Sequence, residues 1–113
     1  MRRPRPGYDA RVPGYYGFIG KFRAQPGKRD ELLEILLGAA EALRGNADCL
    51  LYLLNTSAAE PDAIWSNEVW TSKAAHDAAL EPEDVKAMIR RAMPLIAGAP
   101  ESTELTVAGG KGP

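Results

Sequence analysis

The chain has 113 residues, enough for one domain around one core and too few for two ordinary ones. Its hydrophobic fraction of 45% and charged fraction of 26% are those of a soluble globular protein, and a net charge of −1 without a basic stripe in the body excludes a general nucleic-acid binder. The single cysteine excludes an intrachain disulfide and fits a reducing compartment. No apolar run can span a membrane and no secretory signal opens the chain, so a cytoplasmic location is expected.

Residues 1–14 are rich in Pro, Gly and Arg and are expected to form a flexible arm; the four arginines there (Arg2, Arg3, Arg5, Arg11) read as a solvated tail. Tyr15 to Ala24 alternates around Phe18 and Phe22 as a first strand, and Gln25-Pro26-Gly27 is a turn. Lys28 to Arg44 is the clearest helix, with Leu32, Ile35, Leu36, Ala39 and Leu43 on one face, acids in its first turn and Arg44 near its end.

Asp48 to Thr56 is a second strand whose apolar residues do not alternate. Leu50, Tyr52 and Leu54 are expected on one face, and Cys49, Leu51 and Leu53 on the other. A helix layer covers one face only, so the other needs its own cover, and a second copy of the chain supplies it most simply. Ser57 to Asp62 is expected as a loop and Ala63 to Trp70 as a third strand. A short helix follows, capped by Thr71 or Ser72. Pro82 opens another helical segment with Val85, Met88, Ile89 and Ala92 on its apolar face, and Pro94 interrupts it. Ser102 to Val107 is a last strand, and residues 109–113 form a flexible tail. The order β-α-β-β-α-β defines an α+β, ferredoxin-like sandwich spanning residues 15–108, two copies of which would close into a dimeric α/β-barrel.

Familiar catalytic signatures are missing. Gly14, Gly17 and Gly20 lie before and inside a strand, the wrong context for dinucleotide binding. One His and one Cys cannot supply a structural zinc site within one chain. No cofactor and no metal are expected.

The informative stretch is Asn67 to Leu80, NEVWTSKAAHDAAL. On the third strand Ile64, Ser66, Glu68 and Trp70 share one face, which puts a hydroxyl, a carboxylate and a large aromatic in a row. His76, the only histidine, lies on the more apolar side of the following helix, near Trp70. The alanines of that helix leave volume for a flat ligand. The same residues also have a plain structural explanation: a Trp core anchor, a hydrogen-bonded His and a closely packed helix. Glu68 resists that explanation, because a carboxylate facing a core needs a partner, with Arg90 and Lys21 as candidates.

The runs FRAQPGKRDELLEILL, ADCLLYLLNTSAAEPDAIWSNEVWTSKAAHDAAL and AMPLIAG resemble the antibiotic biosynthesis monooxygenase domain family, which includes quinol monooxygenases; the resemblance covers roughly residues 16–107. It implies a homodimer and, in many members, oxygen chemistry without flavin, haem or metal. The substrate is then an electron-rich hydroxylated aromatic that passes an electron to O₂ once deprotonated. In members that oxidise polycyclic phenols, an Asn, a Trp, a Tyr and an Arg line the pocket; their places here fall at Ser66, Trp70, His76 and Arg90, of which Trp70 and Arg90 match. The haem-degrading branch places an Asn, a Trp and a His where this chain has Gly20, Leu80 and Arg90, none of which matches.

The expected function is therefore a cofactor-independent monooxygenase acting on a quinol or phenolic metabolite with O₂. His76 is the acid-base group, Trp70 walls the ring, and Ser66, Arg90 and Glu68 contact substrate. The alternatives are a non-catalytic dimeric binding or stress-response protein and an O₂-independent polyketide isomerase or cyclase. No nucleic-acid or membrane partner is expected.

Overall fold

The structure, a computed structural model, describes residues 14–111. The arm expected over residues 1–14 lies outside the described residues except for Gly14, whose N–H donates to the Val107 carbonyl at 3.0 Å. Of the tail expected over 109–113, the last two residues also lie outside.

Four strands form one antiparallel sheet in the order β2-β3-β1-β4: β1 Tyr15–Arg23, β2 Cys49–Ser57, β3 Glu60–Trp70 and β4 Glu101–Val107. Three helices, α1 Arg29–Ala42, α2 Lys73–Ala78 and α3 Glu83–Ala92, complete the ferredoxin-like α+β fold. A 3₁₀ turn extends α1 over Leu43–Gly45, and another over Met93–Leu95 follows α3, where Pro94 cannot continue an α-helix. The turn between β1 and α1 closes through Lys28 N–H to the Gln25 carbonyl at 2.9 Å. Its third residue, Gly27, has φ 77°, which a side chain would disfavour.

The core lies at one end of the sheet. Leu32 and Leu36 of α1 and Ala92 at the end of α3 meet Ile64 of β3 and Ala24 just past β1, all buried, with Phe22, Leu54, Leu95 and Ile96 around them. The 3.6-residue spacing on α1 and the two-residue spacing on the strands deliver these side chains to one layer.

Two readings of the sequence are corrected. The loop expected over Ser57 to Asp62 is a tight hairpin: β3 begins at Glu60, leaving only Ala58 and Ala59 between the strands. In β2 a register shift between Cys49 and Leu51 places Cys49 opposite Trp70 and Leu51 opposite Val69. The extra residue reverses the alternation, so Cys49 shares the helix-covered face with Tyr52 and Leu54 instead of the open face with Leu51 and Leu53.

The open face carries Ile19, Leu51, Leu53, Trp65, Val69 and Leu105, which occupy alternate positions on the four strands. Leu53 is 51% exposed there and Leu105 45%.

On the covered face Gly20 stands opposite Ser66. A Cβ at Gly20 would lie 2.8 Å from the Ser66 hydroxyl oxygen, closer than real Cβ contacts. Gly20→Ala should therefore destabilise the fold by about 1–3 kcal/mol. The double variant Gly20→Ala/Ser66→Ala should fall short of the summed single effects by about 0.5–3 kcal/mol in urea titrations, because removing the hydroxyl relieves the clash. Strict additivity would show that the pair does not limit the approach of β1 and β3.

Candidate active site

Strand β3 points Ser66, Glu68 and Trp70 toward the helix side in succession, and all three are buried. Glu68 accepts from both of its neighbours on that face: Trp70 Nε1–H reaches Oε1 at 3.0 Å, and the Ser66 hydroxyl reaches Oε2 at 3.1 Å. Neither Arg90 nor Lys21 is its partner. Lys21 pairs with Glu60 at 2.7 Å and lies over the Trp65 ring. Arg90 is exposed on α3, and its side chain forms no hydrogen bond or ion pair with the described residues. The structure thus brings together Ser66, Glu68, Trp70 and His76 and leaves Arg90 apart.

His76 comes from α2. Ser72 caps this helix by accepting from the Ala75 N–H at 3.1 Å, as the Thr-Ser pair suggested, while Thr71 donates instead to Asp48 at 2.9 Å. The cap turns the chain immediately after Trp70 and swings His76 back over the end of β3. Its side chain is 13% exposed, with Nε2 3.8 Å from Glu68 Oε1 and Nδ1 2.9 Å from Asp77 Oδ1.

The imidazole is enclosed by three rings. It stacks on Phe18 at 4.9 Å between centroids, meets Trp70 edge-on at 5.5 Å and lies 5.3 Å from Tyr16. The volume expected beneath the alanine-rich helix holds this imidazole itself. The sequence marks neither Tyr16 nor Phe18 as a site residue, and Phe18 only as part of the strand pattern. They sit opposite Trp70 and Glu68 across the β1–β3 pairing, a relation only the register reveals.

An outer polar layer continues the site. The Tyr16 hydroxyl donates to Glu104 Oε2 at 2.8 Å, and the Lys73 ammonium reaches the same oxygen at 3.0 Å and Asp77 Oδ2 at 3.7 Å. A cleft of about 420 Å³ opens at the opposite edge of the sheet, between the end of α1 and the start of β2; Leu37, Arg44, Cys49 and Tyr52 are among its walls, and Ser66, Glu68, Trp70 and His76 are not.

Burial dominates the electrostatics inside. It raises the Glu68 pKa above the ordinary carboxylate value, against the lowering effect of its two hydrogen bonds and of His76. Burial, with the Glu68 charge behind it, pushes the Cys49 thiol up to about 11 and raises Tyr52. Tyr16 is pushed up to about 12 by burial first and then by Glu104. In the outer layer the signs reverse: hydrogen bonds from His76 and Tyr16 hold Asp77 and Glu104, respectively, below the usual carboxylate range.

The Glu68 pocket accepts either protonation state. A tryptophan N–H can only donate, but a serine hydroxyl can donate to a carboxylate or accept from a carboxylic acid. Among the described residues, no group of three or more His, Cys, Asp or Glu side chains is placed to hold a metal ion, and no helix is long and apolar enough to cross a membrane.

Known proteins place this architecture. The sequence profile described as antibiotic biosynthesis monooxygenase matches residues 16–91. The chain belongs to that family. A solved structure from Chloroflexus aurantiacus J-10-fl, provisionally assigned as an antibiotic biosynthesis monooxygenase, is 42% identical with a TM-score of 0.77, over 87% of this chain and 97% of its own. A similarly assigned protein from Caulobacter crescentus CB15 is 28% identical with a TM-score of 0.76, over 82% and 89% of the two chains. A conserved protein from Methanosarcina mazei Go1, at 14% identity and a TM-score of 0.74, over 81% of this chain and 91% of its own, shares the fold. None of the curated proteins matches the chain.

The sign of the Glu68 shift gives a test. A carboxyl with a raised folded-state pKa binds its proton more tightly in the folded protein. Its contribution to stability is complete below the unfolded value of about 4.3 and is lost as pH rises through the higher folded value. Glu104 and Asp77, with lowered values, behave oppositely, losing their contribution as pH falls. In urea denaturation across a pH series, wild type minus Glu68→Gln should therefore decline as pH rises from the acid side, since the variant retains the outer carboxylates. A difference that stays flat, or grows with pH, would show that Glu68 is not raised.

Proposed function

We propose that the protein is a cofactor-independent monooxygenase that oxidises a quinol or phenolic aromatic with O₂, working as a homodimer joined through the open faces of its sheets. One observation carries the catalytic reading: the chain's only histidine sits 13% exposed among Tyr16, Phe18 and Trp70, with Nε2 directed toward a buried carboxyl. Family membership and the provisional monooxygenase assignment of solved relatives support the reaction type.

His76 is the base. A phenol becomes a one-electron donor to O₂ when it loses its proton, and an imidazole has the basicity to take it near neutral pH. The resulting imidazolium lies between Glu68 and Asp77, which offset its charge. Trp70 and Phe18 wall the aromatic ring, and Ser66 donates its hydroxyl hydrogen bond to Glu68, holding that carboxyl beneath the imidazole. A quinol with one free ring C–H gives the hydroxyquinone and water: one atom of O₂ enters the ring, the other leaves as water, and the substrate supplies all four electrons. In this mechanism no role in the proton transfer falls to Arg90, whose side chain is exposed on α3.

Oxygen uptake by metal-free protein with a panel of hydroquinones and dihydroxynaphthalenes tests the chemistry. Uptake above the spontaneous rate should fall roughly 10²–10⁴-fold in His76→Ala. Ring binding without uptake, followed by Trp fluorescence, would favour the binding-module reading. Anaerobic conversion of a polyketide would favour the isomerase.

The dimer has its own test. Ile19, Leu53 and Leu105 leave an apolar surface on the sheet face that no helix covers. In sedimentation the wild type should run at twice the chain mass and Leu53→Glu, which puts a carboxylate among the apolar side chains of that face on the edge strand β2, at the mass of one chain. A wild type that sediments as a monomer at every concentration would sink the dimer.

A further inference from the structure

We infer that Asp77 is a positioning residue for His76, fixing the imidazole in the tautomer that carries its proton on Nδ1 and turns the Nε2 lone pair toward Glu68, and that Lys73 and Glu104 hold Asp77 in place for this task. The inference deepens the proposed function, resting on His76 as the proton acceptor.

The geometry is specific. Asp77 Oδ1 lies 2.9 Å from Nδ1, a hydrogen-bonding distance, whereas Glu68 Oε1 lies 3.8 Å from Nε2, beyond one. A neutral imidazole has one N–H. Placed on Nδ1, that proton is accepted by a carboxylate; placed on Nε2, it meets no acceptor within hydrogen-bonding reach. An unrestrained imidazole in water favours the Nε2–H form, so the preference here is imposed by the protein. Glu68 does not impose it, since its nearer oxygen stands 3.8 Å from Nε2, outside hydrogen-bonding distance.

Asp77 is itself held. Its other oxygen faces Lys73 at 3.7 Å, one helical turn back on α2. Lys73 reaches across to Glu104 of β4 at 3.0 Å and lies 5.7 Å from the Tyr16 ring centroid, while the Tyr16 hydroxyl donates to the same Glu104 oxygen. The titratable and charged groups around the imidazole are therefore Glu68 from β3, Tyr16 from β1, Asp77 and Lys73 from its own helix and, behind these, Glu104 from β4. Only Asp77 touches Nδ1. Asp77 stays an anion because His76 hydrogen-bonds it and Lys73 faces it.

A lone histidine makes the test direct, because every imidazole signal belongs to His76. Long-range ¹H–¹⁵N correlation spectra of ¹⁵N-labelled protein, taken at the alkaline end of a pH series, report which ring nitrogen is protonated. The wild type should show a pyrrole-type Nδ1 and a pyridine-type Nε2. Asp77→Ala should shift the mixture toward Nε2–H, and Asp77→Glu should restore part of the Nδ1–H form. Lys73→Met should shift it partway. Asp77 is exposed enough for the backbone amide spectrum to remain that of the folded protein, which serves as the control. A wild type already in the Nε2–H form, or an Nδ1–H form unchanged by Asp77→Ala, would overturn the inference.

The same variants in oxygen uptake separate this inference from the function it rests on. Asp77→Ala should lower kcat about tenfold or more with little change in KM, since a misplaced proton disables the base without removing the ring contacts. If no substrate is turned over but the tautomer responds to Asp77→Ala, positioning stands and the monooxygenase reading fails. If turnover is present and the tautomer does not respond, the reverse holds.

Discussion

A carboxyl group on the covered face of the central strand sets the terms for everything around it. Burying Glu68 is unfavourable unless both of its oxygens find donors, and the strand supplies them from its own face, two residues to either side. Trp70 is thereby fixed edge-on to His76, and Ser66 is kept small enough for β1 to approach through Gly20. Replacing Glu68 with an apolar residue would leave a tryptophan N–H and a serine hydroxyl unsatisfied in the interior, at about 1–3 kcal/mol each. The row Ser66–Glu68–Trp70 is thus one unit, and the site forms where α2 closes over it.

The molecule is divided along the sheet as well as across it. At one end Leu32, Leu36, Ile64 and Ala92 form a dry core that stabilises the fold. At the other end the same layer becomes polar and aromatic, with one imidazole at its centre. The division follows the covered face of β3, where Ile64 belongs to the core and Ser66, Glu68 and Trp70 to the site. A strand that changes character halfway can anchor the fold and present chemistry, because its rigidity extends into the site.

Much of this was legible in the residues. The periodicity of α1, the row on β3 and the Ser72 cap could be read because each depends on local spacing. The near approach of His76 and Trp70 followed from the short connection between them. What escaped depended on pairing between distant segments. Tyr16 and Phe18 enter through the β1–β3 register, and Glu104 through an edge strand with no apolar pattern pointing inward. The side on which Cys49 falls was misjudged because one bulged residue inverts every alternation before it. Arg90 was read both as a partner for Glu68 and, through the family resemblance, as a substrate contact; it lies on the exposed side of α3, away from the Glu68 oxygens that Trp70 and Ser66 occupy.

Helix α2 has six residues, too few to be stable as an isolated helix, and it is held by the Ser72 cap, the fit of His76 between aromatic rings and the Lys73 bridge to β4. Its partners Glu68 and Trp70 belong to an eleven-residue strand paired on both sides. The two halves of the site therefore belong to cooperative units of different strength, and α2 can detach in a local opening while the sheet stays intact. The imidazole is therefore the movable part of the site, and the row Ser66–Glu68–Trp70 is its fixed template on the sheet.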